Sequence, residues 1–436
     1  MLIEKKNRLS SPWIFTPMLF VAIGLGGGGI VGTMTSVMFK DFGFSNALIG
    51  AVALLSLPSA FRFLWSPWID ALGSKRRLCF TFTAIIGVIL MVLSIVIYTG
   101  YMTPLLAFSL ILCFALLFSC LEVSSDGYYI RVFDKAEQAE FVGIKTAAIR
   151  GGIILSLVLF VRLAGQLQED GAALEIAWGK AMGLASVTLL VLAVYYLFGL
   201  PKAKDDYAVK DTGAFPLFTV LKEYVQQRRA WAIIAMLLIF RFGQGMQVYM
   251  VPPFLMDAAD AGGFAMNAKE VAMLKTYADV PFMIIGGILG GFIIKWFGLR
   301  KTLIPFTMFM NLPNFAYIFL AIFRPQAQFM IGGTEFYTYV FGTAVVETLG
   351  YGIGFSAFFY YLHAIADGEH KTSMLAISSG IMGLGFYIPG GISGVLQQML
   401  GYPSLFVLSS TAGLLTLAII PFLPMEKIAK PQIRKV

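Results

Sequence analysis

The stretch SPWIDALGSKRR at residues 66–77 has a counterpart later in the chain, GFIIKWFGLRK at residues 291–301. Both contain a small residue, a charge, a glycine and a cation at identical spacing. This pairs Ser66, Asp70, Gly73 and Lys75 with Gly291, Lys295, Gly298 and Arg300. The shared glycine lets the chain turn sharply, because glycine adopts positive φ readily. The repeat predicts two halves that fold alike and carry equivalent loops.

Around these loops the chain is strongly apolar. Hydrophobic residues make up 58% of its 436 residues and charged residues 13%, and the mean hydropathy is +0.81. A soluble domain has about a quarter of its residues charged, so this chain cannot cover itself with a water-facing surface. The apolar stretches have the length of a membrane-spanning helix, about 20 residues, whereas a barrel strand needs about ten. The sequence therefore predicts an all-α integral membrane protein.

Twelve apolar stretches, numbered here as spans 1 to 12, follow one another along the chain. They run near 13–38, 46–69, 78–99, 103–128, 140–163, 177–199, 229–256, 269–295, 302–323, 335–365, 372–398 and 403–424. The polar segment 201–227 separates the sixth from the seventh. We therefore expect an N-terminal six-helix bundle at 1–200, a cytoplasmic linker at 201–227 and a C-terminal six-helix bundle at 228–436. Span 1 is interpreted as a helix of the mature protein, because no obvious cleavage site follows it.

Basic residues indicate the orientation of these spans. If the N-terminus is cytoplasmic, most of the 32 lysines and arginines fall in cytoplasmic loops and tails. This bias is the positive-inside rule, and it predicts that both termini are cytoplasmic. The net charge of +8 then faces anionic lipid, so no nucleic-acid partner is expected.

The repeated loop resembles the loop 2–3 and loop 8–9 signature of the major facilitator superfamily, G-x-x-x-D-x-x-G-x-[RK]. Ser66 stands where the signature has glycine, and Lys295 stands where it has the acid. The resemblance implies two six-helix bundles around a central cavity, which rock about a midplane site. It also implies a gate formed by Asp70, Gly73, Lys75, Lys295, Gly298 and Arg300. The alternative, an ordinary positive-inside loop, explains the cations but not the shared spacing.

Two carboxylates of span 4, Glu122 and Asp126, lie four residues apart and therefore on one helix face. An ionisable group at bilayer depth costs roughly 3 kcal/mol or more, so each one needs a partner or a function. Like charges this close favour proton binding by one of them, which predicts a proton-carrying pair. Lys145 and Arg150 of span 5 could neutralise the pair instead, which would make it a structural ion pair. Arg150 is the cation that we expect to face the two acids.

Further ionisable and amide side chains lie in other spans. The candidates for substrate binding are Arg62, Arg150, Arg241 and Gln244. Arg241 and Gln244 share a face of span 7, and a guanidinium suits a carboxylate or phosphate in bidentate geometry. Glu347 in span 10 is a third candidate proton carrier, and Arg62 could alternatively close the cytoplasmic half. Lys275 and Asp279 of span 8 are interpreted as a mutual salt bridge.

Nothing in the sequence supports bond-breaking chemistry. The chain has no G-x-x-x-x-G-K-[ST] loop to hold ATP and no H-E-x-x-H motif. Its 2 histidines and 3 cysteines are too few to suggest a metal site. We therefore expect no enzyme activity, no cofactor and no metal, and the energy for transport must come from a gradient or from the solute itself.

Several segments together resemble the AmpG-type muropeptide permeases, a branch of the peptide/acetyl-coenzyme A transporters among the major facilitators. FLWSPWID at 63–70 resembles their F-L-W-[AS]-P-x-x-D run, EVSSD at 122–126 their Q-D-x-x-x-D, and RG at 150–151 part of their G-Y-R-x-G. ETLGYGIG at 347–354, AISS at 376–379, PGGISG at 389–394 and GY at 401–402 resemble their spans 10 to 12. Span 7 reads RFGQ at 241–244, where these permeases have a basic residue followed by an acid.

The resemblance implies proton-coupled import of muropeptides across a bacterial inner membrane. These solutes are cell-wall fragments built from an anhydro-muramyl sugar and a short peptide. We expect a symporter that works as a monomer in the lipid bilayer. Siderophore importers and acetyl-coenzyme A carriers share the scaffold, so another anionic solute is an alternative. A rival from another class is a non-transporting membrane receptor, although a passive scaffold need not keep buried charges in both halves.

Overall fold

The computed structural model describes residues 8–202, 217–365 and 371–424, and most of these residues are helical. Ten stretches are long and apolar enough to cross a membrane. Spans 1 to 6 occupy Pro12–Asp41, Asn46–Ser66, Lys75–Tyr98, Pro104–Val132, Gly143–Glu169 and Leu174–Gly199. Spans 7 to 9 occupy Ala230–Met256, Ala268–Phe297 and Leu299–Phe323. The tenth stretch, Met374–Phe422, is long enough for two spans.

Span 10 is the helix Thr338–Ile365. Spans 11 and 12 form the continuous stretch Lys371–Leu414, which bends at Gly401, where φ is +77°. Two short turns, Thr416–Ile419 and Ile420–Phe422, complete span 12. Each of the twelve predicted segments therefore coincides with a helix. The structure adds an antiparallel hairpin before span 10, formed by β1 (Gln328–Ile331) and β2 (Thr334–Tyr337). The predicted start of span 10 at residue 335 was wrong, since it falls in β2.

Several spans depart from regular α-helical geometry. Span 2 consists of Asn46–Ala51, a 3₁₀ turn at Val52–Ser56, and the helices Leu57–Ala60 and Arg62–Ala71. Spans 1, 5 and 8 contain π-helical segments at Leu25–Met34, Ser156–Val161 and Lys275–Asp279. Span 7 breaks between Ala230–Ile239 and Phe242–Met256, and Arg241 lies at the break. Such departures are frequent at functional positions, which makes the segments around Arg241 and Lys275–Asp279 candidates for a site.

The chain forms two compact units. The first unit comprises Met1–Phe44 and Leu55–Phe215, and the second comprises Ser45–Leu54 and Pro216–Val436. The ten residues Ser45–Leu54, at the start of span 2, therefore pack with the second half of the chain. The core of the second unit includes Phe240 stacked on Phe358, with ring centroids 3.9 Å apart. Residues 203–216 of the predicted linker lie outside the described residues.

Glycines bring helix backbones into direct contact within each unit. In the first unit a Cβ added to Gly24 would lie 1.9 Å from the carbonyl oxygen of Ile149, so spans 1 and 5 touch there. In the second unit a Cβ on Gly286 would lie 2.3 Å from the carbonyl oxygen of Leu349, so spans 8 and 10 touch. The adjacent Gly287 faces open space, with nothing within 4 Å of its Cβ position. Only some members of the glycine runs are therefore needed for packing.

Alanine at Gly286 should destabilise the protein, whereas alanine at Gly287 should not. The new methyl group at Gly286 meets backbone, which cannot move aside as a side chain can, and overpacking of this kind costs about 1–3 kcal/mol. At Gly287 the methyl group meets nothing, and alanine is the better helix former by about 1 kcal/mol. Thermal unfolding of Gly286→Ala and Gly287→Ala in the same detergent measures both effects. Equal melting temperatures for the two variants would contradict the packing described here.

Candidate functional site

The first unit contains a cluster of four charged side chains. Lys145 lies 2.7 Å from Asp126, measured from Nζ to Oδ1. Arg62 reaches both acids of span 4, with Nη1 at 3.6 Å from Glu122 Oε1 and 3.9 Å from Asp126 Oδ2. The second oxygen of Glu122, Oε2, is buried and accepts no hydrogen bond from a described residue. Asp126 is therefore held closely by Lys145, while Arg62 makes a longer contact with each of the two acids.

Two cations face two carboxylates in this cluster, so it is electrically balanced when all four groups are ionised. The sequence led us to expect Arg150 opposite the two acids. The structure places Arg62 and Lys145 there, and Arg150 lies further along the helix Lys135–Leu155, half-buried. Lys145 also lies over the ring of Phe20, 4.6 Å from its centroid. Such a cation–π contact stabilises an ammonium out of water, so the ring of Phe20 and the carboxylate of Asp126 both stabilise the Lys145 side chain in this position.

The second unit holds Arg241 at the break in span 7. Its Nε donates a hydrogen bond to Gln244 Oε1 at 2.9 Å, as expected for two side chains on one face. The guanidinium lies over the ring of Phe386 in span 11, 4.0 Å from the centroid, and 5.7 Å from the ring of Phe355 in span 10. Among the described residues, no acceptor is within hydrogen-bonding distance of its Nη1 and Nη2 groups. The guanidinium is thus held in place by Gln244 and Phe386, while the N–H groups of Nη1 and Nη2 stay available for hydrogen bonds.

Span 8 contributes a second group of charges to the same unit. Lys275 Nζ lies 3.2 Å from Asp279 Oδ2, which confirms the predicted salt bridge. Glu347 of span 10 interacts electrostatically with both of these groups, and Tyr317 of span 9 interacts with the two acids. Within the described part of the chain Glu347 has no hydrogen-bond or ion-pair partner within 4 Å. This triad therefore has two carboxylates and one ammonium, an excess of one negative charge when all are ionised.

The two copies of the loop motif share their turn but differ in their cations. Gly73 and Gly298 have positive φ, +109° and +78°, as the pattern predicts. Lys75 is completely buried and donates a hydrogen bond to the carbonyl oxygen of Ile69 at 2.8 Å. Its counterpart Arg300 is exposed, and so is Lys295. The side chain of Asp70 lies outside the part of the chain that the structure describes, so the predicted gate stays a prediction.

Sequence reasoning missed the aromatic partners of Arg241. Phe355 and Phe386 are remote from span 7 in sequence, and nothing in the spacing of 39 phenylalanines marks these two. The one available signal was the arginine itself, because a cation at bilayer depth needs an acid, an aromatic face or a ligand. No acid follows it at the position where the resembling permeases have one.

Helices long and apolar enough to cross a membrane, with charged groups inside both units, are the architecture of a multi-pass membrane protein. The family model of the Major Facilitator Superfamily matches residues 18–333, and the chain belongs to this family. Relatives include an anhydromuropeptide permease of Escherichia coli, 24% identical over 373 residues, which cover 84% of this chain and 70% of that protein. A putative transporter, AmpG 2, of Rickettsia bellii is 21% identical over 97% of this chain and 100% of its own length. The resemblance found in the motifs is thereby confirmed.

Solved structures show the same fold. A D-xylose–proton symporter superimposes with a TM-score of 0.70 at 14% identity. The matched region includes 94% of this chain and 97% of the symporter chain. A bacterial homologue of the human lysosomal transporter Spinster, in an inward-facing and occupied conformation, also has a TM-score of 0.70, at 12% identity, and covers 98% of this chain and 100% of its own. The chain is thus an all-α transporter of small solutes with the major facilitator fold, and not an enzyme.

Replacement of Lys75 by alanine should destabilise the protein much more than the same replacement of Arg300. The Lys75 side chain fills space beside Gly127 and satisfies the carbonyl of Ile69, so its removal leaves a cavity and an orphaned acceptor, at a cost on the order of 2 kcal/mol. Arg300 is exposed, and surface substitutions usually change stability by less than about 0.5 kcal/mol. Thermal unfolding of Lys75→Ala and Arg300→Ala compares the two copies. Similar melting temperatures of the two variants would show that the buried Lys75 side chain does not stabilise the protein.

Proposed function

We propose that this transporter imports an anionic organic solute together with protons, and that the solute is an anhydromuropeptide. The observation that carries the proposal is the state of Arg241: its outer nitrogens face no acceptor among the described residues, although it lies within a membrane span. An arginine in this setting favours an anion, and its two outer nitrogens suit a carboxylate in bidentate geometry. A muropeptide offers carboxylates on its peptide and an apolar ring face on its sugar.

The surroundings of Arg241 support recognition rather than a structural role. Gln244 fixes Nε, and Phe386 supports the guanidinium plane from one side. Both contacts reduce the number of conformations that the arginine would lose on binding, which favours affinity. Arg241 and the neutral Gln244 together leave one positive charge for the solute. The relatives named for anhydromuropeptide and AmpG transport support the choice of solute, and they carry no weight for a particular residue.

The triad of span 8 and span 10 supports coupling to protons. Lys275 can compensate Asp279 or Glu347 but not both, and an unpaired carboxylate inside a span favours proton binding. The cluster of Glu122 and Asp126 has a cation for each acid, so it has less need of a proton. Of the three carboxylates expected to carry protons, Glu347 is therefore our first choice. Glu122 comes second because its Oε2 has no partner among the described residues.

The remaining roles follow from the same reasoning. Arg62 is proposed to hold the acids of span 4, and Asp70, Gly73, Lys75, Lys295, Gly298 and Arg300 are proposed to form the loops that close during transport. Positive-inside bias supports cytoplasmic termini, and the bacterial relatives support the inner membrane.

A panel of ligands tests the proposed function. The purified protein is heated with an anhydromuropeptide, a ferric siderophore, acetyl-coenzyme A and a neutral disaccharide, since a ligand stabilises the state that binds it. The proposal expects the anhydromuropeptide to raise the melting temperature most and the neutral disaccharide to leave it unchanged. If only the siderophore or acetyl-coenzyme A raised the melting temperature, the proposed solute would be wrong but its anionic class would still hold. A shift by the disaccharide alone would contradict the anionic class.

Substitution of Arg241 should weaken solute binding in a graded way. Arg241→Ala removes the charge, and Arg241→Lys keeps it but cannot reproduce the bidentate fork, so we expect at least about a tenfold loss of affinity even in the lysine variant. Gln247→Met is the matched control: Gln247 is buried in the same span and donates to Ser409 and Ser410. Titration of the anhydromuropeptide measures all three. Unchanged affinity in Arg241→Ala would assign the arginine a structural role.

Substitution of Glu347 should separate coupling from transport. Glu347→Gln mimics the protonated acid, so accumulation driven by a pH gradient should fail in proteoliposomes while exchange of solute down its own gradient continues. Asp126→Asn strands Lys145 beside an uncharged amide, and it should lower the melting temperature and slow both modes. Normal accumulation by Glu347→Gln would remove this residue from the coupling path. A stable Asp126→Asn protein that loses accumulation alone would move coupling to the first unit.

A further inference from the structure

Each unit carries a cluster of polar side chains at the end of its first span. In the first unit Asp41, at the end of span 1, accepts hydrogen bonds on Oδ2 from Trp178 Nε1 at 2.8 Å and from Gln168 Nε2 at 3.0 Å. In the second unit Asp257, just after span 7, accepts a hydrogen bond on Oδ2 from the hydroxyl of Tyr402. Gln397 of span 11 lies in the same cluster.

These clusters are counterparts under the repeat of six spans. Span 1 corresponds to span 7, span 5 to span 11 and span 6 to span 12. Each cluster therefore combines an aspartate at the end of the first span of its half with a glutamine of the fifth and a ring of the sixth. The pattern is invisible in the linear sequence, because the ring is Trp178 in one half and Tyr402 in the other.

The second cluster differs from the first by one inserted amide. Asn46, at the start of span 2, is buried. Its Nδ2 has two hydrogens to donate and lies within hydrogen-bonding distance of three acceptors, Gln397 Oε1 at 2.8 Å, Tyr402 OH at 2.9 Å and Asp257 Oδ2 at 3.2 Å. In the first cluster the glutamine bonds directly to its aspartate. The amide of Asn46 thus occupies the space between the aspartate and the glutamine of the second cluster.

The backbone around Asn46 fits against span 11 only because both surfaces are small. A Cβ on Gly394 would lie 1.8 Å from the carbonyl oxygen of Asn46, and a Cβ on Gly50 would lie 2.7 Å from the backbone nitrogen of Gly394. Ala53 follows on the same side, and its Cβ would lie 2.9 Å from a Cβ on Gly390. Residues 45–54 are accordingly members of the second unit, whereas the segment that follows, Leu55–Phe215, belongs to the first.

The boundary between the two units at Leu54 and Leu55 coincides with a break in span 2. The helix Asn46–Ala51 gives way to the 3₁₀ turn Val52–Ser56, and Pro58 follows at the start of the next helix. A 3₁₀ stretch inside a helix often marks a hinge, and proline removes a backbone donor at this point. A 3₁₀ turn and a proline therefore separate the segment carrying Asn46 from the rest of its own span.

We propose that the second cluster is a receptor for the side chain of Asn46, and that capture and release of this amide is a step of the transport cycle. The first cluster, closed on itself by Gln168, has no such role and serves only to tie span 1 to spans 5 and 6. The inference rests on the proposed function only in that a transporter must alternate between conformations. The contacts themselves concern the second unit alone.

Accessibility of residue 53 tests the proposal without a transport assay. Ala53 is completely buried against span 11 while Asn46 is captured. In a protein carrying Ala53→Cys, with the three natural cysteines replaced by alanine, Asn46→Ala should raise the rate of maleimide labelling about tenfold, the effect of one lost hydrogen bond to a charged group. Gln168→Ala is the matched control, since it removes the equivalent hydrogen bond of the first cluster and should leave the labelling rate unchanged.

Two further variants keep the test decisive. Tyr402→Phe retains the ring and loses only the hydroxyl that binds Asn46 and Asp257, and Asn46→Asp places a like charge beside Asp257, so both should also increase labelling. Labelling at the parent rate in all three variants would overturn the proposal. An equal rise in Gln168→Ala would overturn it too, because it would indicate general loosening. Increased labelling in a protein that binds no anionic solute would retain the receptor for Asn46 and reject the proposed function.

Discussion

The structure depends on one constraint: a charge removed from water into a membrane must meet an opposite charge, an aromatic face or a ligand. The two units meet this constraint to different degrees. In the first unit Arg62 and Lys145 compensate Glu122 and Asp126. In the second, compensation is incomplete, because the triad of Lys275, Asp279 and Glu347 has one acid too many and Arg241 has no acid among the described residues. The incomplete unit is where a proton and an anion would complete the balance.

The two halves share a fold but have diverged in chemistry. The turn of the repeated loop is preserved through Gly73 and Gly298, while the cation that follows it is buried in one copy and exposed in the other. The polar clusters at the opposite ends of the spans show the same relation. One is closed by Gln168, and the other holds Asn46. Duplication supplies the scaffold twice, and substitutions within it assign different tasks to equivalent positions.

Much of the fold could be predicted from the sequence, because hydropathy reports directly on the length of apolar helices. The twelve spans, the positive-φ glycines of both loops and the pairing of Lys275 with Asp279 follow from local spacing. The hairpin of β1 and β2 was missed because β2 runs directly into the apolar stretch of span 10. The partners of charged groups were harder to predict. Lys145, rather than Arg150, pairs with Asp126, and a difference of five positions on a helix cannot be decided without the rotation of that helix.

Contacts between distant spans lie beyond any reasoning from one sequence. Phe386 of span 11 contacts Arg241 of span 7. Gln397 of span 11 and Tyr402 of span 12 contact Asn46 of span 2, which is also remote from them along the chain. Spacing rules describe one helix at a time, whereas these sites are assembled by packing. Individual candidate residues could therefore be recognised from the sequence, because burying a charged side chain is costly. Their grouping into sites could not.

The central claim is that a proton compensates the surplus carboxylate of the triad and that an anionic solute compensates Arg241. The most direct test is the number of protons taken up when an anhydromuropeptide binds to the purified protein. Calorimetric titrations near neutral pH, in two buffers of different ionisation enthalpy, give this number. The account predicts net proton uptake on binding to the wild-type protein, and loss of that uptake in Glu347→Gln. Solute binding by the wild-type protein without any net proton uptake across the neutral range would contradict it.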